Sequence, residues 1–101
     1  MLAPMNDFVI NSTIKQYPKR PPYQQIKRKV LGSRYQLTLN FIGKDRAYSL
    51  NKQYRNKDYV PNVLSFPLDD STGEIYICPQ VAKQEASKFH LSPEGYIVFL
   101  F

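Results

Sequence analysis

Histidine and cysteine, the side chains most often used as bases, nucleophiles and zinc ligands, are scarce in these 101 residues. There is one histidine, His90, and one cysteine, Cys78. A single cysteine permits no intramolecular disulfide and no cysteine cluster for zinc. Cys78 stands among apolar residues and reads as a small buried hydrophobe rather than a reactive thiol. His90 reads as a helix-end residue whose charge suits the dipole. Ser65 lies between apolar neighbours, and with no histidine base to activate it, it reads as structural. Arg55, Lys57 and Asp58 stand close together in one short stretch. A guanidinium grips phosphate through two hydrogen bonds and steadies the charge that builds when a phosphodiester breaks. Lys57 could support the same phosphate, and Asp58 could fix the loop. The plain alternative for Arg55 is an exposed arginine at a helix end, helped by the dipole.

Charge points the same way. The net charge is +6, unevenly spread. Residues 1–60 carry 12 of the 14 lysines and arginines against Asp7, Asp45 and Asp58, a balance of +9. Residues 61–101 carry Lys83 and Lys88 against Asp69, Asp70, Glu74, Glu85 and Glu94, a balance of −3. A basic half suits a polyanion, and each phosphate neutralised makes binding salt-dependent. Ordinary surface bias explains the same numbers, and charge alone does not decide. Met1 to Asn11 lacks the basic start and apolar run of a signal peptide, and no segment approaches a membrane span of about 18 apolar residues. A cytoplasmic protein with no membrane partner is the expectation.

These side chains need a frame, and the hydrophobic pattern supplies one. With 43% hydrophobic residues, the chain can bury a single core. Phe8, Ile10 and Ile14 alternate weakly, as a short first strand would. Tyr17 to Pro22 holds three prolines and marks a linker. Tyr23 to Leu31 reads as a helix with Ile26, Val30 and Leu31 inward and Lys27, Arg28 and Lys29 facing water, closed by Gly32. Tyr35, Leu37, Leu39 and Phe41 alternate with polar residues and give the clearest strand. Asp45 can cap a helix to about Arg55, with Ala47, Leu50 and Tyr54 on one side. Val63 to Phe66 is a strand closed by Pro67, and Asp69 to Gly73 a turn. Ile75 to Cys78 is a strand buried on both faces. Pro79 opens a helix with Val81, Ala82, Ala86 and Phe89 inside. The fold class is α+β: a single domain over residues 1–101, with a small mixed β-sheet packed with helices.

Ser92-Pro93-Glu94 is a further helix start, followed by Tyr96 to Phe101, all large and apolar. A helix end ordinarily carries polar or basic side chains and a Gly or Asn stop. Three readings stay open here: a helix cut short, a strand that closes into the core, or an interface.

Residues 51–67, Asn-Lys-Gln-Tyr-Arg-Asn-Lys-Asp-Tyr-Val-Pro-Asn-Val-Leu-Ser-Phe-Pro, resemble the signature of the YbeY family. There a helix ending in Tyr-Arg leads through an Asp-containing loop to a strand reading Thr-Asp/Asn-Val-Leu-Ser-Phe-Pro. Gly73-Glu74-Ile75-Tyr76-Ile77-Cys78 is similar to its next element, Gly-Asp-Ile-x-Ile-Cys, and Val81 to Phe89 to the helix after that. Pro61 stands where the family usually has Thr, and Glu74 where Asp is commoner. Residues 1–34 match only in general character.

The resemblance implies a metal-dependent endoribonuclease of ribosomal RNA maturation and ribosome quality control. Its partners would be ribosomal RNA and the small ribosomal subunit or its proteins. It implies a catalytic and RNA-binding role for Arg55, with Lys57 as a second RNA contact. The family's zinc site is His-Gly-x-x-His-Leu-x-Gly-x-Asp-His, on a helix preceded by residues like Tyr96 to Phe101. None of those ligands exists in this chain, so no metal ligand is assigned and no zinc is expected on the chain itself. The resemblance thus favours a final central helix cut short before the metal motif. The alternative is a basic module that binds RNA or the ribosome without chemistry, or an inactive fragment.

Overall fold

The computed structural model describes residues 7–86 and Lys88. The readings for Phe89, His90, the helix start at Ser92 and the apolar run to Phe101 lie outside the described residues. The elements follow in the order β1 (Phe8–Ser12), α1 (Tyr23–Leu31), β2 (Gln36–Phe41), α2 (Lys44–Arg55), β3 (Val63–Asp69), β4 (Thr72–Ile77) and α3 (Pro79–Ala86). The strands form one mixed sheet in the order β1-β2-β4-β3. β1 and β4 run parallel to β2, with Phe8 beside Leu37 and Leu39 beside Ile75. β3 is antiparallel to β4, Val63 opposite Ile77. The expected α+β class with a small mixed sheet is what forms.

The period-2 pattern sorts the two faces. Leu39, Phe41 and Ile77, with Phe8, Val63 and Ile75 beside them, share one face and meet Tyr23 of α1 and Ala82 and Ala86 of α3. Leu64, Phe66 and Tyr76 point the other way, toward Ala47 and Leu50 of α2 and Val81 of α3. β4 lies between β2 and β3, which explains its near-continuous apolar run. Each large side chain fully buried here contributes about 1.5–3 kcal/mol.

Three local expectations need correction. Lys27 does not face water: it is 1% exposed, whereas Val30 is 74% exposed and Leu31 is exposed too. Tyr23 fixes the rotation of α1, its ring 5.7 Å from that of Phe41 and its hydroxyl donating to the Pro18 carbonyl at 2.8 Å. Lys27, one turn on, must then enter the core. Its ammonium is satisfied by Asp7 Oδ2 at 2.9 Å and the Gly32 carbonyl at 2.8 Å. Gly32 takes φ 84°, a conformation that favours glycine. The second correction is the start of α2. Gly43 is the N-cap and Asp45 sits inside the first turn, where its charge still favours the dipole. The third is Pro67, which does not end β3. β3 is an edge strand with a register shift between Pro67 and Asp69, a place where proline's missing N–H is tolerated.

Candidate nucleic-acid interface

The last turn of α2 and the loop after it carry the residues singled out for phosphate chemistry. The helix stops because Asn56 adopts left-handed backbone, φ 53° and ψ 40°. Asparagine accepts that conformation more readily than most residues. The Asn56 N–H donates back to the Lys52 carbonyl at 3.1 Å, and the Lys57 N–H to the Asn51 carbonyl at 3.2 Å. The chain is thereby turned sharply, with Arg55 on the helix side of the bend and Lys57 on the loop side. Both side chains are exposed.

Two side chains of α2 then hold the loop down. The Tyr48 hydroxyl donates to the Asp58 carboxylate. That hydrogen bond, and the carboxylate's charge, raise the Tyr48 pKa above its ordinary value, so the phenol stays a donor. Asn51 is fully buried. Its amide Nδ2 donates to the Tyr59 carbonyl at 3.0 Å, and its Oδ1 accepts from the Arg55 guanidinium at 3.3 Å. One buried amide thus ties Arg55 to the backbone of the loop that presents Lys57. Downstream, Val60 reaches the second core cluster, and Asn62 donates to Glu85 of α3 at 2.7 Å. The loop is anchored at both ends.

The structure therefore brings Arg55, Lys57 and Asp58 into one hydrogen-bonded turn, with Asp58 fixing the loop as its position suggested. Asn51 is the residue that sequence reasoning missed. It stands first in the motif stretch, and its spacing of four from Arg55 on one helix was the available signal. Tyr54 differs from its inward assignment, at 62% exposed with its ring edge-on to Phe66, centroids 5.4 Å apart. Phe66 in turn meets Tyr76 at 5.7 Å. Burial, and then the nearby Glu74 charge and hydrogen bond, raise the Tyr76 pKa. Ser65 is exposed on β3 and Cys78 is buried.

Among the described residues, no three or more His, Cys, Asp and Glu side chains gather as metal ligands. The described residues do not fit a zinc centre. No helix among the described residues is long and apolar enough to cross a membrane.

The chain as a whole is similar to known proteins. The family profile described as endoribonuclease YbeY matches residues 8–101. A protein named endoribonuclease YbeY from Ureaplasma parvum is 41% identical over 68 residues, covering 61% of this chain and 44% of that relative. One from Burkholderia ambifaria is 38% identical over 87 residues, covering 81% and 50%. One from Mesoplasma florum is 30% identical over 104 aligned positions, covering 92% and 54%. The chain spans about half the length of the curated relatives it matches.

Proposed function

The chain belongs to the YbeY family of endoribonucleases, and from that premise we propose that it is the RNA-engaging part of an enzyme that hydrolyses phosphodiesters in ribosomal RNA. The observation that carries this reading is the clamped turn at the end of α2, which holds Arg55 through a buried amide and displays Lys57 beyond the bend. A guanidinium with a fixed partner is preorganised for a phosphate and for the extra charge of its cleavage. Arg55 is proposed as the catalytic cation and, with Lys57, as the RNA contact. Ribosomal RNA in the cytoplasm is the proposed substrate, and the small ribosomal subunit or its proteins the proposed setting. Zinc belongs to this proposal through the family's histidine motif, which these 101 residues do not contain. Bound there, it would supply an activated water.

A second reading, a basic module that docks on RNA without chemistry, is favoured by the +9 balance of residues 1–60. A cleavage assay on a ribosomal RNA fragment separates the two. It compares this chain with one extended by His-Gly-x-x-His-Leu-x-Gly-x-Asp-His, each with and without chelator. Chelator-sensitive cleavage by the extended chain, lost in its Arg55→Ala form, is the expected result. Binding by both chains with cleavage by neither would leave only the docking module.

A further inference from the structure

Tyr54 is an aromatic ring that lies mostly in solvent with one edge-on contact to Phe66. Single exposed aromatics are common and carry no message, but this one is the outer end of a ladder. Tyr76 and Phe66 rise from the half-buried face of the sheet, and Tyr54 extends them outward, each ring edge-on to the next at 5.7 and 5.4 Å. More than half of Tyr54 remains open, at 62% exposed. The flanking charges are positive. Lys52 and Arg55 are the basic residues of the same last turn, and Lys57 follows just past the helix stop. Two acids of the adjoining loop and sheet are engaged: Asp58 accepts from Tyr48, and Glu74 accepts from the Tyr76 hydroxyl at 3.3 Å. A fixed, open aromatic surface next to cations matches a ligand that is flat on one side and anionic on the other. A nucleotide has that shape.

We propose that Tyr54 is a base-stacking residue, on whose ring an unpaired nucleobase lies while the adjoining phosphate meets Arg55. The proposal deepens the RNA reading above and rests on it. Tyr54 and Arg55 are consecutive on α2, roughly 100° apart around the helix, so one nucleotide can span both. The ladder supplies preorganisation: the ring is already positioned, and little rotamer freedom is lost when a base arrives. Every base has a π face, so this contact selects for an unpaired base and not for a particular sequence.

The test compares two probes of equal length, a short oligoadenylate and an abasic ribose-phosphate chain, by fluorescence anisotropy with the 101-residue chain. Tyr54→Ala and Tyr54→Leu should weaken oligoadenylate binding about 5- to 150-fold and leave the abasic chain unchanged. Tyr54→Leu keeps an apolar contact with Phe66, which guards against a folding artefact. Tyr54→Phe should stay within about twofold of wild type, since stacking needs no hydroxyl. Arg55→Ala should weaken both probes. Equal losses on the two probes, or no loss on either, would overturn the stacking role and leave the RNA reading standing. Wild-type protein that binds the abasic chain as tightly as oligoadenylate would do the same. Wild-type protein that binds neither would overturn both.

Discussion

Arg55 would matter less if it were merely one cation among 14. What distinguishes it is Asn51, fully buried, whose side chain accepts from the guanidinium and donates to the loop backbone. A bidentate phosphate contact is worth about 1.5–3 kcal/mol, and one exposed charge less than about 1. Arg55→Ala should therefore weaken binding to a short ribosomal RNA fragment about 10- to 150-fold, and Lys15→Ala by less than about fivefold. Equal small losses from both, measured by anisotropy, would reduce the site to diffuse electrostatics. Arg28 is a poor control, because its guanidinium donates twice to Asp7, at 3.1 Å each. Asn51→Ala should act on two readouts at once. It leaves the Tyr59 carbonyl without its side-chain donor, at a stability cost of about 1–3 kcal/mol, and it unmoors Arg55. Thermal melts and RNA titrations should both shift, and a shift in the melts alone would show that Asn51 serves the fold and not the arginine. The placing of Arg55 and Lys57 at the end of α2 was legible in the sequence, because the helical pattern runs out there. The part played by Asn51 was not, because one of its partners is a main-chain carbonyl eight residues away, placed there only by the left-handed stop at Asn56.

At the scale of elements, α1 shows how a helix with sound boundaries can still be read with the wrong face. Its limits, Tyr23 and Leu31, and the glycine stop follow from sequence, as do the alternating β2 strand and the proline that opens α3. The rotation of α1 does not. Local pattern favours Ile26, Val30 and Leu31 as the inner stripe. The aromatic contact between Tyr23 and Phe41 overrides it and carries Lys27 into the core. Lys27 buries its four-carbon stem there and ends on Asp7 and Gly32. Two substitutions separate the stem from the charge. Lys27→Ala opens a cavity and should cost about 2–5 kcal/mol in denaturant unfolding. Lys27→Met keeps the volume, and Asp7 keeps Arg28, so its cost should stay below about 1.5 kcal/mol. A methionine variant as unstable as the alanine one would mean that the ion pair, not the packing, holds α1. Asp7 also carries a pH signature. Its hydrogen bonds with Arg28 and then Lys27 hold its pKa well below the ordinary 3.8. A lowered pKa gives stability that is present above the unfolded value and lost as pH falls through the folded one. The stability gap between wild type and Asp7→Asn should thus be constant above about pH 5 and shrink below it. A gap that widens on acidification would have the wrong sign.

Across the whole molecule, charge and topology divide the labour. The basic excess lies in residues 1–60 and the acidic excess after them, an asymmetry plain from sequence. Composition leaves open whether that excess acts as a broad field or through a few fixed contacts. The sheet order β1-β2-β4-β3 keeps the two halves side by side, β1 and β2 from residues 1–60 and β4 and β3 from the residues after them. Within the basic half the cations are nonetheless unequally placed. Lys27 and Arg28 are spent on Asp7, and Lys52, Arg55 and Lys57 cluster about one turn at the end of α2. This distribution makes a sharp prediction for salt dependence. For a single strand, the logarithm of affinity falls against the logarithm of salt with a slope of about 0.7 per phosphate neutralised. If the turn at Arg55 is the contact surface, Arg55→Ala and Lys57→Ala together should flatten that slope by about 1.4. Lys83→Ala, from exposed α3 surface, should leave it unchanged. A molecule that binds RNA only through its summed charge would behave differently. There each removed cation, Lys15 or Lys83 as much as Arg55, would lower affinity by a similar small amount, and no pair would dominate the slope. Titrations at several salt concentrations with these variants decide between a surface with an address and a field without one.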